Sequence, residues 1–226
     1  MRILVAIKSC NRDRLRGDHD AIRNTWGRDL PVGVDLRFFI GGEYPKPFEI
    51  LRVDEWLLKI PDQYDFLPLK SRAILKWAVI QHYDYSILVD NDTYVVPKRL
   101  FALPFQRYDY SGHFGRGSAE IGTTFRYEDG RGIIYDPCYP WASGGYGVFI
   151  SKKMAEIVAE ESIVSNFWAE DMALGCIAAL HNLKIGNLEG LRNNASYHYP
   201  KDPNGYWSYD PATKWMEKMQ LEHGEK

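Results

Sequence analysis

With 226 residues, 45% of them hydrophobic and 26% charged, the chain is long enough for one substantial core and too apolar to be disordered. A formal charge of −2 without any dense Lys/Arg run argues against a nucleic-acid surface, which needs clustered cations to neutralise phosphates. Three scattered cysteines, Cys10, Cys138 and Cys176, provide neither a disulfide framework nor a CxxC zinc site, and no apolar segment is long enough to span a membrane.

Ile3-Leu4-Val5-Ala6-Ile7 is a short apolar, β-rich run that predicts a buried first strand. Lys8-Ser9-Cys10-Asn11 then turns polar, which predicts a ligand-facing loop at the strand end. Arg12 to Arg16 is strongly basic, and Asp20 to Gly27 reads as a short helix with an aspartate near its start and a glycine just past its end. Arg23 on that helix can pair with a phosphate or a carboxylate, or lie on a solvated face. Val34 to Ile40 predicts a second strand before Gly41-Gly42, and Trp56 to Ile60 a short third. Pro68 introduces a helix over Leu69 to Tyr83, with Leu69, Ala73, Trp77 and Ile80 on one face. Lys70 stands in its first turn, where a cation opposes the helix dipole unless something anionic binds nearby.

Tyr85-Ser86-Ile87-Leu88-Val89 is an apolar run of the kind buried on both faces of a parallel sheet, and it ends abruptly in Asp90-Asn91-Asp92. Residues two apart in an extended segment point to one side, so Asp90 and Asp92 are predicted to converge. Two hard oxygen donors suit a divalent cation such as Mg²⁺ or Mn²⁺, which also takes phosphate oxygens from a substrate. The place fits as well, because open α/β sheets bind ligands beyond the carboxyl ends of their strands. The competing reading is a plain turn, in which these side chains hydrogen-bond the local backbone.

Further on, Arg107 to Phe114 predicts another strand, and Ile121 to Arg126 with Gly132 to Tyr135 flank Glu128-Asp129-Gly130 as a hairpin. Tyr139-Pro140-Trp141-Ala142-Ser143-Gly144-Gly145-Tyr146-Gly147 follows, with glycines dense enough for close backbone approach to a ligand. Its spacing is neither a P-loop nor a dinucleotide fingerprint. A helix over Ser151 to Glu161 is predicted to be capped by Ser151. A second begins near Asn166, with Met172, Cys176, Ala179 and Leu180 as its buried stripe. Glu170 and Asp171 fall in its first turn, where the dipole favours the ionised form, so either is a candidate general base. Leu183 to Leu188 predicts a last strand; His198 then stands among aromatics, as a structural residue or a metal ligand, and a short helix begins near Pro211.

Five of these segments, in order, resemble the β-1,3-glycosyltransferases of the galactosyltransferase and Fringe type, a GT-A-fold family. Ala21-Ile22-Arg23-Asn24-Thr25-Trp26-Gly27 is similar to the family's "IRxTWG", Leu67-Pro68-Leu69-Lys70-Ser71 to "NLTLKT", and Asp90-Asn91-Asp92-Thr93-Tyr94-Val95 to "DDDVFV". Tyr139 to Tyr146 is similar to "YPPYCSGGGY", and Glu170-Asp171-Met172-Ala173-Leu174-Gly175 to "EDVYLG".

The resemblance implies an α/β fold of GT-A (Rossmann-like) type: a mixed, mostly parallel central sheet flanked by helices, with a small hairpin on the acceptor side. One domain over 1–226 is expected, with a nucleotide-binding half (1–100), an acceptor-binding half (101–200) and a C-terminal loop and short helix (201–226). The implied activity is inverting, metal-dependent transfer from a nucleotide-sugar donor, UDP-linked in most relatives, to a hydroxyl of a glycan acceptor. By resemblance Asp92, Asp90 and His198 hold Mn²⁺ or Mg²⁺, Asp171 is the base, Arg23, Lys70 and Asn91 are donor-side residues, and Trp141, Gly144, Gly145 and Glu170 shape the sugar pocket. A catalytically silent glycan-binding module on the same scaffold is the alternative, and the retained Asp92, Asp171 and His198 count against it. Two departures stand out: Asn91 replaces the middle Asp of the metal motif, and Ala142 replaces the Cys of "YCSG". The expected location is cytoplasmic if Met1 is the native start, and the Golgi lumen if an upstream anchor has been removed.

Overall fold

A computed structural model describes residues 1–42, 51–114, 140–162, 164, 167, 169–199 and 212–224. The hairpin read around Glu128-Asp129-Gly130, together with Cys138 and Tyr139, lies outside the described residues. In chain order, β1 (Ile3–Cys10), α1 (Asn11–Arg16), α2 (Asp18–Asn24), β2 (Val34–Gly41), β3 (Glu55–Leu57), α3 (Leu67–Ile80) and β4 (Tyr85–Asp90) make the first half. Then come β5 (Thr93–Val95), α4 (Pro97–Ala102), β6 (Tyr110–Gly112), β7 (Val148–Ser151), α5 (Lys152–Glu160), α6 (Glu170–Leu180), β8 (Ile185–Asn187), β9 (Ser196–His198) and α7 (Ala212–His223).

The strands form a sheet of order β3-β2-β1-β4-β7-β6-β8, and β5 and β9 pair separately. The pairs β3·β2, β2·β1, β1·β4 and β6·β8 are parallel, whereas β7 runs antiparallel to both β4 and β6. This is the mixed, mostly parallel sheet flanked by helices that the sequence predicts.

Alternation along the central strands feeds two cores. Leu4 and Ala6 of β1 and Leu88 of β4 pack with Ile74 and Leu75 of α3, Met154 of α5 and Ile177 of α6. Ile3, Val5 and Ile7, with Ile87 and Val89, face the other side, toward Ile22, Trp26 and Met216 of α7. With both faces covered, every position is apolar and the alternation vanishes from the sequence, which is why these strands read as unbroken runs.

Several elements differ from their predicted form. The basic Arg12 to Arg16 segment is helical, ended by Gly17 at φ 98°, a left-handed conformation that favours glycine. Helix α3 begins two residues early and buries Pro68, Ser71, Ile74, Leu75 and Ala78, while Ile80 is 60% exposed. It packs against both the sheet and α5, so its buried arc is set by what packs on it and not by its own periodicity. In α6 the stripe is likewise shifted: Ala173, Leu174, Cys176, Ile177 and Ala178 are buried, whereas Leu180 is half-exposed. A helix apolar nearly all round carries little phase information. Ser151 does cap α5, its hydroxyl accepting from the Met154 N–H at 3.3 Å.

The Ala21 to Gly27 segment packs closely into the fold. Arg23 lies 4.6 Å over the Phe38 ring and donates to both Asp54 oxygens at 2.8 Å and to Glu55 at 2.9 Å. Glu55 also accepts from Arg14 Nε at 2.9 Å and faces His19 Nδ1 at 3.0 Å. Trp26 is fully buried, and a Cβ on Gly27 would stand 2.7 Å from the Ile22 carbonyl oxygen. Burial raises the Glu55 carboxyl, but Arg23, His19 and Arg14 outweigh it and hold the group far below the ordinary carboxylate range. A carboxyl depressed in the folded state contributes stability above its unfolded pKa and loses it as pH falls. Glu55→Gln is therefore expected to lower unfolding free energy at pH 7 by about 3–5 kcal/mol, the cost of stranding buried charge. In denaturant titrations that gap should narrow as pH falls below about 4.

Candidate active site

The β1 alternation that points Leu4 and Ala6 toward α3 and α6 carries Lys8 to the same side. In the parallel register Lys8 stands opposite Asp90 of β4. Its Nζ lies 2.8 Å from Asp90 Oδ1 and also pairs closely with a Glu170 oxygen at the start of α6. The other Glu170 oxygen accepts from Ser71 Oγ of α3 at 2.9 Å. A buried ammonium is stable only when paired, so this cation ties two strands and two helices at one point. Burial works against the charge on Lys8, yet the two carboxylates raise its pKa, and Lys8 in turn keeps Asp90 below the ordinary range despite burial.

Strand β4 ends at Asp90, and the chain turns through Asn91-Asp92 into β5. The pairing of β5 with β9 sets His198 opposite Thr93, and the Asp92 carbonyl accepts from the Tyr199 N–H at 3.1 Å. His198 Nε2 thus comes within 3.5 Å of Asp92 Oδ1. One ligand atom each from Asp90, Asp92 and His198 lie within 4.8 Å of one another. The convergence read from an extended Asp90 to Asp92 segment is real, but a turn and a second strand produce it. Asp92 Oδ1 is buried with no hydrogen-bond partner among the described residues, and burial with the nearby Asp90 charge pushes this carboxyl up to about 7. An orphaned oxygen in a set of two carboxylates and an imidazole fits a divalent cation.

The glycine-rich segment forms a short 3₁₀ turn, Gly144–Tyr146, fastened to the same place by Thr93 Oγ1, which donates to the Gly145 carbonyl at 3.0 Å. His198 lies so close that a Cβ on Gly145 would stand 2.5 Å from its Cδ2 and 2.8 Å from its Nε2. These groups line a cavity of about 620 Å³, within the range of small-molecule sites. The polar Lys8 to Asn11 segment, read as a loop, is instead the end of β1 and the start of α1, and it brings Ser9 and Cys10 to the cavity, with Asp13 of α1; the turn before α3 contributes Asp62, Gln63 and Tyr64.

Most of the predicted site residues meet in this cavity. Asp171, beside Glu170, is half-buried at its edge; Oδ1 accepts from the Met172 N–H at 2.9 Å, and burial raises its pKa. Lys70 lines the cavity while donating to the Ser9 carbonyl at 2.8 Å and pairing with Asp62 at 3.0 Å. Glu170 reaches it too, but both its oxygens are already committed to Lys8 and Ser71. Asn91 turns its amide nitrogen to Asp13 and Asp18, at 3.0 and 3.2 Å. Arg23 and Trp141 are not among the lining residues: Arg23 is held at β3, and Trp141 packs on Gly175 of α6, where an added Cβ would stand 2.7 Å from its own Cβ. Sequence reasoning passed over Lys8, although a lysine closing an apolar strand run just before a polar loop is a legible signal.

A family model described as Galactosyltransferase matches residues 18–189. No curated protein matches the sequence. Among solved structures, a protein from Desulfovibrio desulfuricans G20 described as a nucleotide-diphospho-sugar transferase is 10% identical, over 83% of this chain and 80% of its own, with a TM-score of 0.45. The A197 protein from STIV is 15% identical, over 89% of this chain and 87% of its own, with a TM-score of 0.45.

Because a methyl group at position 145 would displace the His198 ring, Gly145→Ala should weaken Mn²⁺ binding about tenfold or more, as loss of ligand orientation does elsewhere. Isothermal titration with MnCl₂ against wild type, with His198→Ala as the reference for a lost ligand, checks this.

Proposed function

Since the chain belongs to the galactosyltransferase family and is a glycosyltransferase, we propose that it works as an inverting, metal-dependent enzyme. In this reading it moves a sugar from a UDP-linked donor to a hydroxyl of a glycan acceptor. The observation that carries the proposal is the meeting of Asp90, Asp92 and His198, with the orphaned Asp92 oxygen, in the cavity that Asp171 also lines.

Asp90, Asp92 and His198 would hold the cation, Mn²⁺ or Mg²⁺, which when bound neutralises charge on the departing nucleoside diphosphate. Lys8 keeps Asp90 ionised and aimed, so that ligand position is set before anything binds. Lys70, with Nζ at the cavity wall, offers a cation to the donor phosphates. Asp171 then accepts the acceptor hydroxyl proton at a carboxylate oxygen as that hydroxyl attacks the anomeric carbon from the face opposite the leaving group. Glu170 is unsuited to this step, because Lys8 and Ser71 occupy its oxygens. It is better described as the anchor that fixes the helix start on which Asp171 stands. The Gly144-Gly145 turn remains the sugar-side wall.

Titration with UDP and a panel of UDP- and GDP-sugars, with and without Mn²⁺, tests the donor. Metal-dependent UDP binding and slow donor hydrolysis are expected, and no nucleotide binding under any condition would refute the proposal. Asp171→Asn should retain UDP affinity while transfer falls by about 10²–10⁴-fold, the usual worth of a general base. Asp171 has a raised pKa and acts in its ionised form, so wild-type kcat should climb with pH through a value above the ordinary carboxylate range. Loss of that acid limb in Asp171→Asn is the accompanying sign.

A further inference from the structure

Asn91 is the position where this chain departs from the acidic motif it resembles, and its surroundings account for the change. Its Nδ2 donates to Asp13 Oδ2 of α1 at 3.0 Å and to Asp18 Oδ2 of α2 at 3.2 Å. An amide nitrogen has two hydrogens, so both are spent. Asp18 is wholly buried, and Asp13 is 8% exposed at the edge of the cavity, so little water spreads the charge of either. Arg16 serves both, with Nε 3.0 Å from Asp18 and Nη2 3.2 Å from Asp13, while Arg12 adds a largely exposed guanidinium 3.0 Å from Asp13. One well-placed cation and one amide therefore balance two buried carboxylates. A third carboxylate at position 91 would face both at hydrogen-bond distance with no proton to offer, and among the described residues Arg16 and Arg12, already paired with Asp13 and Asp18, are the cations beside them.

We propose that Asn91 is a positioning residue: its neutral amide clamps the α1–α2 corner, through Asp13 and Asp18, onto the turn that carries Asp90 and Asp92. The second position of the motif is thereby excluded from acting as an acidic ligand in this chain. The consequence for the metal turn rests on the transferase reading above. The clamp itself does not, because it consists of contacts within the chain. Two walls of the cavity, the junction of β1 with α1 and the Asp90 to Asp92 turn, are held as one unit by it.

The test is sign reversal in a mutant cycle, read by denaturant unfolding in EDTA. Asn91→Asp should raise the unfolding equilibrium constant by about tenfold or more, as expected for buried like charges left unpaired. Asp18→Asn should destabilise the wild type, in which Arg16 and the Asn91 amide both lose a charged partner, yet stabilise the Asn91→Asp background, where it removes a repulsion. Asn91→Ala, which loses the amide without adding charge, should be destabilised by Asp18→Asn less than the wild type is, because the Asn91–Asp18 contact is already gone. Wild-type stability in Asn91→Asp, or the same sign for Asp18→Asn in both backgrounds, would overturn the clamp. If Asn91→Asp does not fold, Asn91→Ala and Asp18→Asn form their own cycle, and strictly additive effects there would overturn it equally. Titration with MnCl₂ gives the functional readout: weaker Mn²⁺ binding in Asn91→Asp, partly restored by Asp18→Asn, is expected, and unchanged affinity would remove the positioning role. A wild-type protein that binds Mn²⁺ but no nucleotide would refute the transferase chemistry and leave the cycle to judge the clamp alone.

Discussion

The buried Lys8 ammonium is the constraint on which the site depends. It sits where β1 leaves the core, bound to Asp90 on the neighbouring strand and to Glu170 at the start of α6. An ion in that position is costly unless every partner is in place, so the strand register and the approach of α6 are fixed together. Three functional groups inherit their positions from this arrangement. Asp90 is held ionised, Glu170 is consumed as an anchor, and Asp171, the next residue, is delivered to the cavity edge. The first turn of α6 thus gives its two acids different partners, where the helix dipole alone would treat them alike.

A second, smaller arrangement completes the acidic side. The β5·β9 ladder is only three residues long on each strand, yet its register sets His198 beside Asp92 across roughly a hundred residues of chain. Gly145 leaves room for the imidazole, and Thr93 fastens the glycine turn to the same ladder. Tyr94 and Val95 of β5 are buried in the second core, with Tyr197 of β9 packed against it, while backbone pairing fixes the register between the two strands.

Arg23 and Asn91 both stand in segments that resemble family signatures, and both read as donor-side residues. In the folded chain Arg23 is spent on Asp54 and Glu55, and Asn91 on Asp13 and Asp18. A signature records that a residue type is needed at a place, and a buried ion-pair network needs its residues as strictly as a ligand does. The polar partners of both lie in segments distant from them or outside any motif, so no local pattern could assign the role.

Much of this protein is legible in its sequence because the relevant physics is local. Apolar runs set β1, β2 and β4, the Ser151 cap sets the start of α5, and an abrupt change to Asp-Asn-Asp marks the strand end where a ligand site belongs. The order of five motifs was enough to identify the family and the fold class. What only the tertiary structure decided is which face of α3 and α6 is buried, which polar residues converge, and which are already committed. Those outcomes depend on pairs such as Lys8 with Glu170, Asn91 with Asp13 and Asp92 with His198, separated by dozens to more than a hundred positions. Their energies come from desolvation and direct contact, and both exist only once the chain has closed around them.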